Sequence, residues 1–523
     1  MKPVIMILGA GVMQLPAFET ARRNGWTTIA ADGNPEAPCR TMADHFLPVD
    51  LKDRIGLAEK ALEFKNKTGL SGVFTCGTDF SATVAWIARE TGLPGIPYQT
   101  ALNCTDKIRM RTVLKEHGVP CPKFAELSEG QDFGHEVRNL SFPLVVKPVD
   151  NMGGRGVITV HAPEDLPAAA AESIRFSRTG RAIAEEYMSG PEYSLDSLVY
   201  NGSLTVTGFA DRHIYFPPCF IEMGHTLPTA VSEDQREEIT RVFRKAVEAL
   251  GITCGAAKGD IKLTPDGVKI GEIAARLSGG YMSGWTYPYA SGVNLVEKGM
   301  MIAMGMDPGD LTENLHRTSS ERAFISIPGR ISRIEGLDEA HETDGIRDIF
   351  LRVEEGDSVE FPVNNVTKCG NVIACCSSRE DALCCSETAV RKILIELDPE
   401  DERTAAFLQA PLNRDFPPSA YQLTESDWPD LKALDGFIPD FSRSYTQESL
   451  PVPGDDIMKR LDSRKDWHGR TLGETVTLLG DIRKTEFSHS AEWTSYARHF
   501  WHSLIRGGIQ GALWFSDHNK NMH

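Results

Sequence analysis

The sequence predicts a multidomain protein that combines a parallel α/β domain, α+β domains and a mostly helical C-terminal extension. Its 523 residues are enough for about three or four domains. Strand and helix patterns alternate at the start of the chain, and β-hairpin signals follow. A stretch rich in Pro, Asp and Ser then interrupts the pattern near residue 400. We predict domains at residues 1–105, 106–315, 316–400 and 401–523.

The composition excludes several classes of protein. Apolar residues make up 41% and charged residues 24%, which is ordinary for folded globular domains. The net charge of −18 disfavours binding to nucleic acid or to an anionic membrane. No run of about 18 apolar residues predicts a membrane span. Eleven cysteines without disulfide-like spacing indicate a reducing compartment, so we expect a cytoplasmic protein.

Short apolar strands separated by helical patterns open the chain. They lie at Val4–Leu8, Thr27–Ala31 and Gly72–Cys76. This alternation predicts a parallel, doubly wound sheet. The turn Gly9-Ala-Gly11 matches part of a dinucleotide-binding fingerprint, but Gln14 fills the position of its third glycine, so we favour a plain strand-to-helix turn.

Thr78 and Asp79 follow the third of these strands. Open sheets bind ligands at the carboxyl ends of their strands, so these residues are candidate substrate contacts. The alternative is that they cap the following helix.

The stretch Val145–Val157 predicts a phosphate site. Lys147 ends an apolar strand, and a buried ammonium needs an anion. The loop Asn151–Gly156 contains three glycines, which let backbone N–H groups approach that anion. A mobile loop of this kind beside a lysine suits a polyphosphate. The alternative is a hairpin turn with a lysine that extends to solvent.

Two further motifs point to the same chemistry. Asp106 can cap a helix that starts with Lys107. A hairpin around Asp266-Gly267 puts Asp260 and Glu272 on neighbouring strands. Two carboxylates on one face repel each other unless a cation lies between them, and hard oxygen ligands beside a phosphate select Mg²⁺.

In this order the motifs resemble the ATP-grasp superfamily of carboxylate–amine ligases, over roughly residues 1–400. The resemblance implies ATP between two α+β subdomains of a central ATP-grasp domain, with the Asn151–Gly156 loop closed over it. It also implies magnesium, or manganese, on Asp260 and Glu272. The implied ATP contacts are Lys107, Lys147, Gly153, Gly154, Glu185, Glu186, Tyr187, Met188 and Glu192.

Within the resemblance, Lys258 and Arg276 are the candidate catalytic cations, positioned toward the acyl phosphate and the γ-phosphate. Ala274 stands where many members carry an asparagine metal ligand. The phrase Glu272-Ile-Ala-Ala-Arg276 instead looks like the branch near N5-carboxyaminoimidazole ribonucleotide synthetase. The segment Ile214–Pro228 looks like a stretch of the L-amino-acid ligases, which makes Glu222 and His225 candidate substrate contacts. A loop histidine bonded to a carbonyl is the alternative for His225.

The activity that the resemblance implies is ATP-dependent ligation of a small carboxylic or amino acid to an amine, with release of ADP and phosphate. One alternative is a ligase that activates bicarbonate or formate. An alternative of another class is an ATP-binding regulatory or scaffold protein without turnover, favoured only by Ala274. We expect small-molecule substrates and a homodimer.

The C-terminal third of the chain offers weaker signals. A zinc site at Cys375-Cys376 and Cys384-Cys385 is disfavoured, because each pair lacks the spacing of zinc ligands. His499, His502 and the C-terminal tryptophans more simply form packing faces. The small domain should contain strands at Phe324–Ile327, Ile346–Val353 and Asn371–Ala374 and a helix over Arg379–Leu397.

Overall fold

The computed structural model describes residues 2–445, 449–452, 454–484, 487–489 and 493–522. Within these residues no helix is both long and apolar enough to cross a membrane. The chain forms two compact units. The larger comprises Met1–Ile214, Gly224–Glu321 and Cys375–Arg379, and the smaller comprises Tyr215–Met223, Arg322–Ala374 and Glu380–His523.

The larger unit begins with a four-stranded parallel sheet. Its order is His45–Leu47, Thr27–Ala31, Val4–Leu8 and Leu70–Phe74. The strand Val4–Leu8 is buried along its whole length, as expected for a parallel strand covered on both faces. The helices of this part are Leu15–Asn24, Arg54–Thr68, Ser81–Thr91 and Tyr98–Thr105.

A four-stranded antiparallel sheet carries the glycine loop. Its order is Phe124–Ser128, Arg181–Glu186, Leu144–Pro148 and Ile158–Val160. The helix Leu166–Phe176 packs on it and buries Leu166, Ala169 and Ala170. The short helix Phe133–Glu136 also belongs to this layer.

A second antiparallel sheet holds the acidic hairpin. Within the larger unit its order is Gly267–Ala274, Gly255–Thr264, Glu192–Tyr200 and Ser203–Tyr215. The helix Glu233–Leu250 starts with a capping box at Ser232 and packs its apolar face on this sheet. The other elements are Lys107–Glu116, Ile221–Leu227, Tyr287–Ser291 and Leu295–Ala303.

The smaller unit contains the predicted small α+β domain. The strands Ser358–Val359, Gly329–Glu335 and Leu394–Leu397 form one sheet, and Ile346–Leu351 pairs with Gly370–Cys376. The strand Thr318–Phe324 precedes them, so the strand expected at Phe324–Ile327 was placed too late. The remaining helices are Leu337–His341 and Arg379–Lys392.

The helix predicted over Arg379–Leu397 was too long. It ends at Lys392, and Leu394–Leu397 pairs with the Gly329–Glu335 strand instead. Leu394, Ile395 and Leu397 are buried in the core of this unit. Their backbone groups are satisfied by a strand neighbour that a local helical pattern does not reveal.

The C-terminal extension is helical and packs into the same core as the small domain. Its helices are Glu402–Gln409, Asp455–Leu461, Leu472–Arg483 and Ser495–Asn521. The longest is interrupted at Gly508, whose φ of 62° and ψ of −149° are not helical. The strand Leu450–Val452 pairs with Phe487–His489.

Trp501 and Trp514 in the long helix are each only 1% exposed, which confirms their packing role. His499 and His502 make edge contacts with the ring of Phe437, as expected for an aromatic face. Among the described residues, no group of three or more His, Cys, Asp or Glu side chains is placed so that it could hold a metal ion.

Candidate nucleotide and metal site

Lys147 lies in a buried ion cluster. Its Nζ is 2.6 Å from Oε2 of Glu185, and Nε of Arg111 donates to Oε1 of Glu185 at 2.6 Å. Burial opposes ionisation of Glu185, but Arg111 and Lys147 outweigh it and hold the pKa of the carboxyl below its ordinary value. Glu185 therefore fixes the ammonium of Lys147 in position.

Arg111 is fully buried and was not among the residues predicted from the sequence. A signal was present, because Arg111 follows Lys107 by four residues and so shares its helix face. Lys107 begins the helix Lys107–Glu116, and the Asp106 carboxylate caps it by accepting from the backbone N–H of Ile108 and Arg109. This cap confirms the predicted helix start.

Lys107 connects the glycine loop to the acidic hairpin. Its Nζ donates to the carbonyl of Asn151 at 2.8 Å and lies 3.4 Å from Oε1 of Glu272. The side chain is almost entirely buried. Lys107 thus lies between the two elements that the sequence assigned to phosphate and metal.

Asp260 and Glu272 are directly opposite each other in the paired strands of the hairpin. Directly opposed residues lie on the same face of a sheet. Although burial opposes ionisation of Glu272, Lys107, Lys258, Lys147 and Arg276 lower its pKa to about 2. Four of the predicted cations therefore act on one carboxylate.

Arg212 joins the carboxylates of Asp260 and Glu192. Its Nη1 is 3.0 Å from Oδ1 of Asp260 and also donates to Oε1 of Glu192. Lys258 pairs with the other oxygen of Asp260, and Lys262 Nζ is 3.5 Å from Oε2 of Glu192. Arg212 was missed, although it lies opposite Glu192 in the strand register, which sequence alone does not give.

The glycine loop has the backbone conformation that its sequence suggested. Gly153, Gly154 and Gly156 all have φ between 70° and 79°, in the left-handed region. A Cβ on Gly156 would also lie 2.9 Å from Cβ of Phe176. The start of the loop is fixed, because Asp150 Oδ1 accepts from the Ser177 hydroxyl at 2.8 Å.

Three predicted ATP contacts, Glu186, Tyr187 and Met188, directly follow Glu185 in the chain. Tyr187 is 39% exposed, and the carbonyl of Met188 accepts from Lys262 Nζ at 3.2 Å. Glu186 accepts from the backbone N–H of Ser141 at 3.0 Å. Glu186 thus has a structural contact of its own.

Asp79 joins the cluster, although it comes from the N-terminal sheet. Burial raises its pKa, and Arg276 and Lys107 oppose that rise. The helix that follows begins at Ser81 without a side-chain cap, so the capping alternative for Thr78 and Asp79 is wrong. Thr78 is half-buried in the same turn.

Arg276 lies where the loop after the hairpin begins. Its Nη1 donates to the carbonyl of Leu277 at 3.0 Å, and its buried Nε has no hydrogen-bond partner among the described residues. The next residue but one, Ser278, donates through its backbone N–H at 3.1 Å and its hydroxyl at 2.5 Å to Asp196. Burial raises the pKa of Asp196 to about 6 despite these bonds. Asp196 was not predicted, since nothing local marks it.

The two other candidate substrate contacts are His225 and Glu222. His225 is in the strand Ile221–Leu227, not in a loop, and its Nδ1 is 3.2 Å from Oε2 of Glu321. The alternative of a loop histidine bonded to a carbonyl is therefore wrong. Glu222 belongs to the smaller unit, where its backbone N–H donates to Asn365 Oδ1 at 2.8 Å.

The donors present fit a magnesium ion with a polyphosphate. Asp260 and Glu272 offer hard oxygen atoms on one face, and Lys107 and Lys147 offer compact positive charges beside them. Two carboxylates do not complete a coordination shell, so phosphate oxygens and water would supply the remaining ligands.

The central part of the chain contains an ATP-grasp domain. Residues 140–284 match the family model of the ATP-grasp domain. Residues 323–398 match a second model, the L-amino acid ligase C-terminal domain 2. The predicted resemblance and the predicted multidomain α/β and α+β class are thereby confirmed.

Several curated proteins are similar over about three fifths of the chain. An uncharacterised protein, y4rH of Sinorhizobium fredii, is 25% identical over 339 residues, which are 63% of this chain and 69% of the relative. The L-arginine-specific L-amino acid ligase of Bacillus subtilis is 23% identical over 61% of this chain and 78% of its own. Carnosine synthase 1 of Gallus gallus is 24% identical over 59% of this chain, but the match spans only 36% of that relative.

Solved structures share the fold. The L-amino acid ligase of Bacillus licheniformis aligns with a TM-score of 0.67 and 22% identity, covering 76% of this chain and 99% of that one. The N5-carboxyaminoimidazole ribonucleotide synthetase of Thermotoga maritima aligns with a TM-score of 0.59 and 19% identity, covering 76% and 100%. These neighbours leave about a quarter of the present chain unmatched.

Proposed function

We propose that the protein is an ADP-forming carbon–nitrogen ligase that activates a small carboxylic or amino acid as an acyl phosphate and joins it to an amine. The observation that carries the proposal is the convergence of Lys107, Lys147, Lys258 and Arg276 on Glu272, opposite Asp260. Positive charge on both sides of a carboxylate pair, next to a glycine loop, suits a triphosphate and its divalent ion.

The chemistry needs such a cluster, because a carboxylate has no good leaving group. Transfer of the γ-phosphoryl group creates one, and attack by the amine then releases phosphate. In this proposal Lys107 and Lys147 hold the phosphates and Glu192 binds the ribose. Magnesium, when bound by Asp260 and Glu272, would draw negative charge from the transferring phosphate.

The other residues serve the acyl end of the reaction. Arg276 and Lys258 would stabilise the oxyanion that forms when the amine attacks. Asp79, whose raised pKa eases proton uptake, would hold the amine and accept its proton. The Asn151–Gly156 loop would exclude water, which would otherwise hydrolyse the acyl phosphate. Glu222 and His225 remain proposed substrate contacts.

A second candidate is activation of bicarbonate. It is favoured by the fold similarity to N5-carboxyaminoimidazole ribonucleotide synthetase and to biotin carboxylase domains. The match of residues 323–398 to an L-amino acid ligase domain supports the amide-forming reaction instead.

The decisive experiment measures ADP release with magnesium and ATP over a matrix of amino acids, other small acids and amines. The proposed ligase releases ADP only when both an acid and an amine are present, and mass spectrometry finds their amide. Turnover with bicarbonate alone would favour the second candidate. ATP binding without release under any condition would support a scaffold and contradict the proposal.

We further propose a cytoplasmic homodimer with small-molecule substrates and with the four predicted domains. The eleven cysteines are free thiols in the structure, which agrees with a reducing compartment. Light scattering of the purified protein tests the dimer directly.

A further inference from the structure

The C-terminal extension, residues 401–523, lies beyond the residues that the two family models match. The second family model ends at residue 398, and the solved neighbours cover about three quarters of the chain. Yet the extension does not form a core of its own. Phe407, Leu434, Trp501 and Phe515 are buried together with small-domain residues such as Ile395. Its removal would therefore expose the core of the small domain.

The loop between the strands Ser203–Tyr215 and Ile221–Leu227 has an unusual backbone. It contains two aromatic residues in the left-handed region, Phe216 with φ of 61° and Phe220 with φ of 48°. Bulky residues adopt this conformation only where the surroundings over-determine it. Some contact must therefore hold the loop in place.

Polar bonds from the small domain hold one end of the loop. The backbone N–H of Glu222 donates to Asn365, and its carbonyl accepts from Lys368 Nζ at 2.6 Å. Lys368 is 4% exposed, so this bond is shielded from water. These contacts fix the segment around Glu222 but not the aromatic residues before it.

Phe361 holds the other end. Its ring makes an edge contact with Phe216 at 5.2 Å between centroids. Phe416 and Trp467 of the extension contact Phe361 in the same way, at 5.6 Å and 5.1 Å. Phe361 is 2% exposed, and the ring of Phe407 in the extension also stacks on it, at 6.4 Å between centroids. Edge contacts between buried aromatic rings restrict their orientation.

The extension is itself anchored beside this cluster. Arg506 of the long helix donates to the carbonyl of Pro417 at 2.8 Å, next to Phe416. His468, next to Trp467, accepts from the backbone N–H of Ile325 at 3.1 Å. Phe416 and Trp467 therefore each directly precede a residue that is fixed by a hydrogen bond.

We infer that the C-terminal extension is a positioning element for the loop at residues 216–220, acting through Phe416 and Trp467 on Phe361 and so on Phe216. Glu222, a proposed substrate contact, follows Phe220 by two residues, at the start of the next strand. On the basis of the proposed ligase activity, the extension sets the affinity of the protein for the acid or the amine and leaves its affinity for ATP unchanged.

The test compares Trp467→Ala with Trp467→Phe in the full-length protein. The indole N–H of Trp467 is buried without a hydrogen-bond partner among the described residues, so phenylalanine keeps the edge contact and loses no bond. Trp428→Ala is the matched control, because this half-buried tryptophan of the extension lies outside the Phe361 cluster. Phe416→Leu is a second test variant should Trp467→Ala fold poorly.

Two measurements are made on each variant. We expect Trp467→Ala to raise KM for the acid or the amine about tenfold or more, while KM for ATP changes less than about twofold. Chymotrypsin should cleave after Tyr215 or Phe220 about tenfold faster, because the loop opens more often. Trp467→Phe and Trp428→Ala should resemble the unsubstituted protein in both respects.

Three results would overturn the inference. They are equal effects of Trp428→Ala and Trp467→Ala, a change in KM for ATP alone, and faster cleavage without any change in the KM for the acid or the amine. If the unsubstituted protein ligates no acid–amine pair, the proposed function fails. Loop cleavage in Trp467→Ala then decides separately whether the extension holds the loop, and unchanged cleavage overturns that as well.

Discussion

Replacing Lys147 by methionine separates the role of its charge from the role of its packing. Methionine keeps most of the apolar stem and removes the ammonium. In the proposed reaction Lys147 neutralises phosphate oxygens of ATP, and loss of one preorganised donor of this kind typically lowers kcat about 10²–10³-fold. We expect a decrease of that size in ADP release.

The same substitution has a smaller and calculable effect on stability. It removes the 2.6 Å contact with Glu185, and a hydrogen bond to a charged group contributes about 1.5–3 kcal/mol. Arg111 still holds the carboxylate at 2.6 Å, so Glu185 is not left as an unpaired buried charge. We therefore expect the free energy of unfolding to fall by about 2 kcal/mol, with the fold retained.

The pH dependence gives an internal check. The folded-state pKa of Glu185 lies below its ordinary value of 4.5, so its ionised pairs stabilise the protein above pH 4.5 and lose that effect as pH falls through the folded-state pKa. The stability deficit of Lys147→Met should thus be complete at pH 7 and shrink in acid. Urea unfolding at several pH values measures the deficit, and a coupled ADP assay measures turnover. Unchanged ADP release in a folded Lys147→Met protein would refute the phosphate assignment.

Three other substitutions test the site. Arg212→Met should raise KM for ATP about tenfold or more, because Glu192 and Asp260 lose their shared cation. Isothermal titration with ATP checks the affinity, and an unchanged affinity would exclude a role of Arg212 in ATP binding. Glu272→Gln should weaken Mn²⁺ binding, followed by paramagnetic resonance with ATP present, whereas equal binding would place the ion elsewhere. In the unsubstituted protein Asp196 retains its proton up to about pH 6, so the free energy of unfolding should fall as pH rises from about 4 to 6. Asp196→Asn should remove this pH dependence in urea unfolding. The same pH dependence in both proteins would contradict the argument that burial raises the pKa of Asp196.

Residues close in sequence were predictable where local rules dominate. The Asp106 cap, the antiparallel hairpin of Asp260 and Glu272, and the glycines of the loop all follow from spacing and backbone preference. A cap, a two-strand turn and a positive φ each involve only a few neighbouring residues, so the sequence alone contains the required information.

Contacts between distant segments were not predictable in this way. Leu394–Leu397 has a helical pattern but pairs as a strand, and His225, for which a loop was one alternative, lies in a strand. Only the folded chain brings partners of this kind together, because they are separated by tens or hundreds of residues.

The sequence by itself determined that this chain has a parallel N-terminal sheet, a glycine loop beside Lys147 and two acidic strands of one hairpin. Tertiary structure alone decided that Glu185 pairs with Arg111, that Arg212 joins Glu192 to Asp260, and that the C-terminal extension shares the core of the small domain. The physical reason is that a buried charge or an apolar face requires a partner without specifying which segment supplies it.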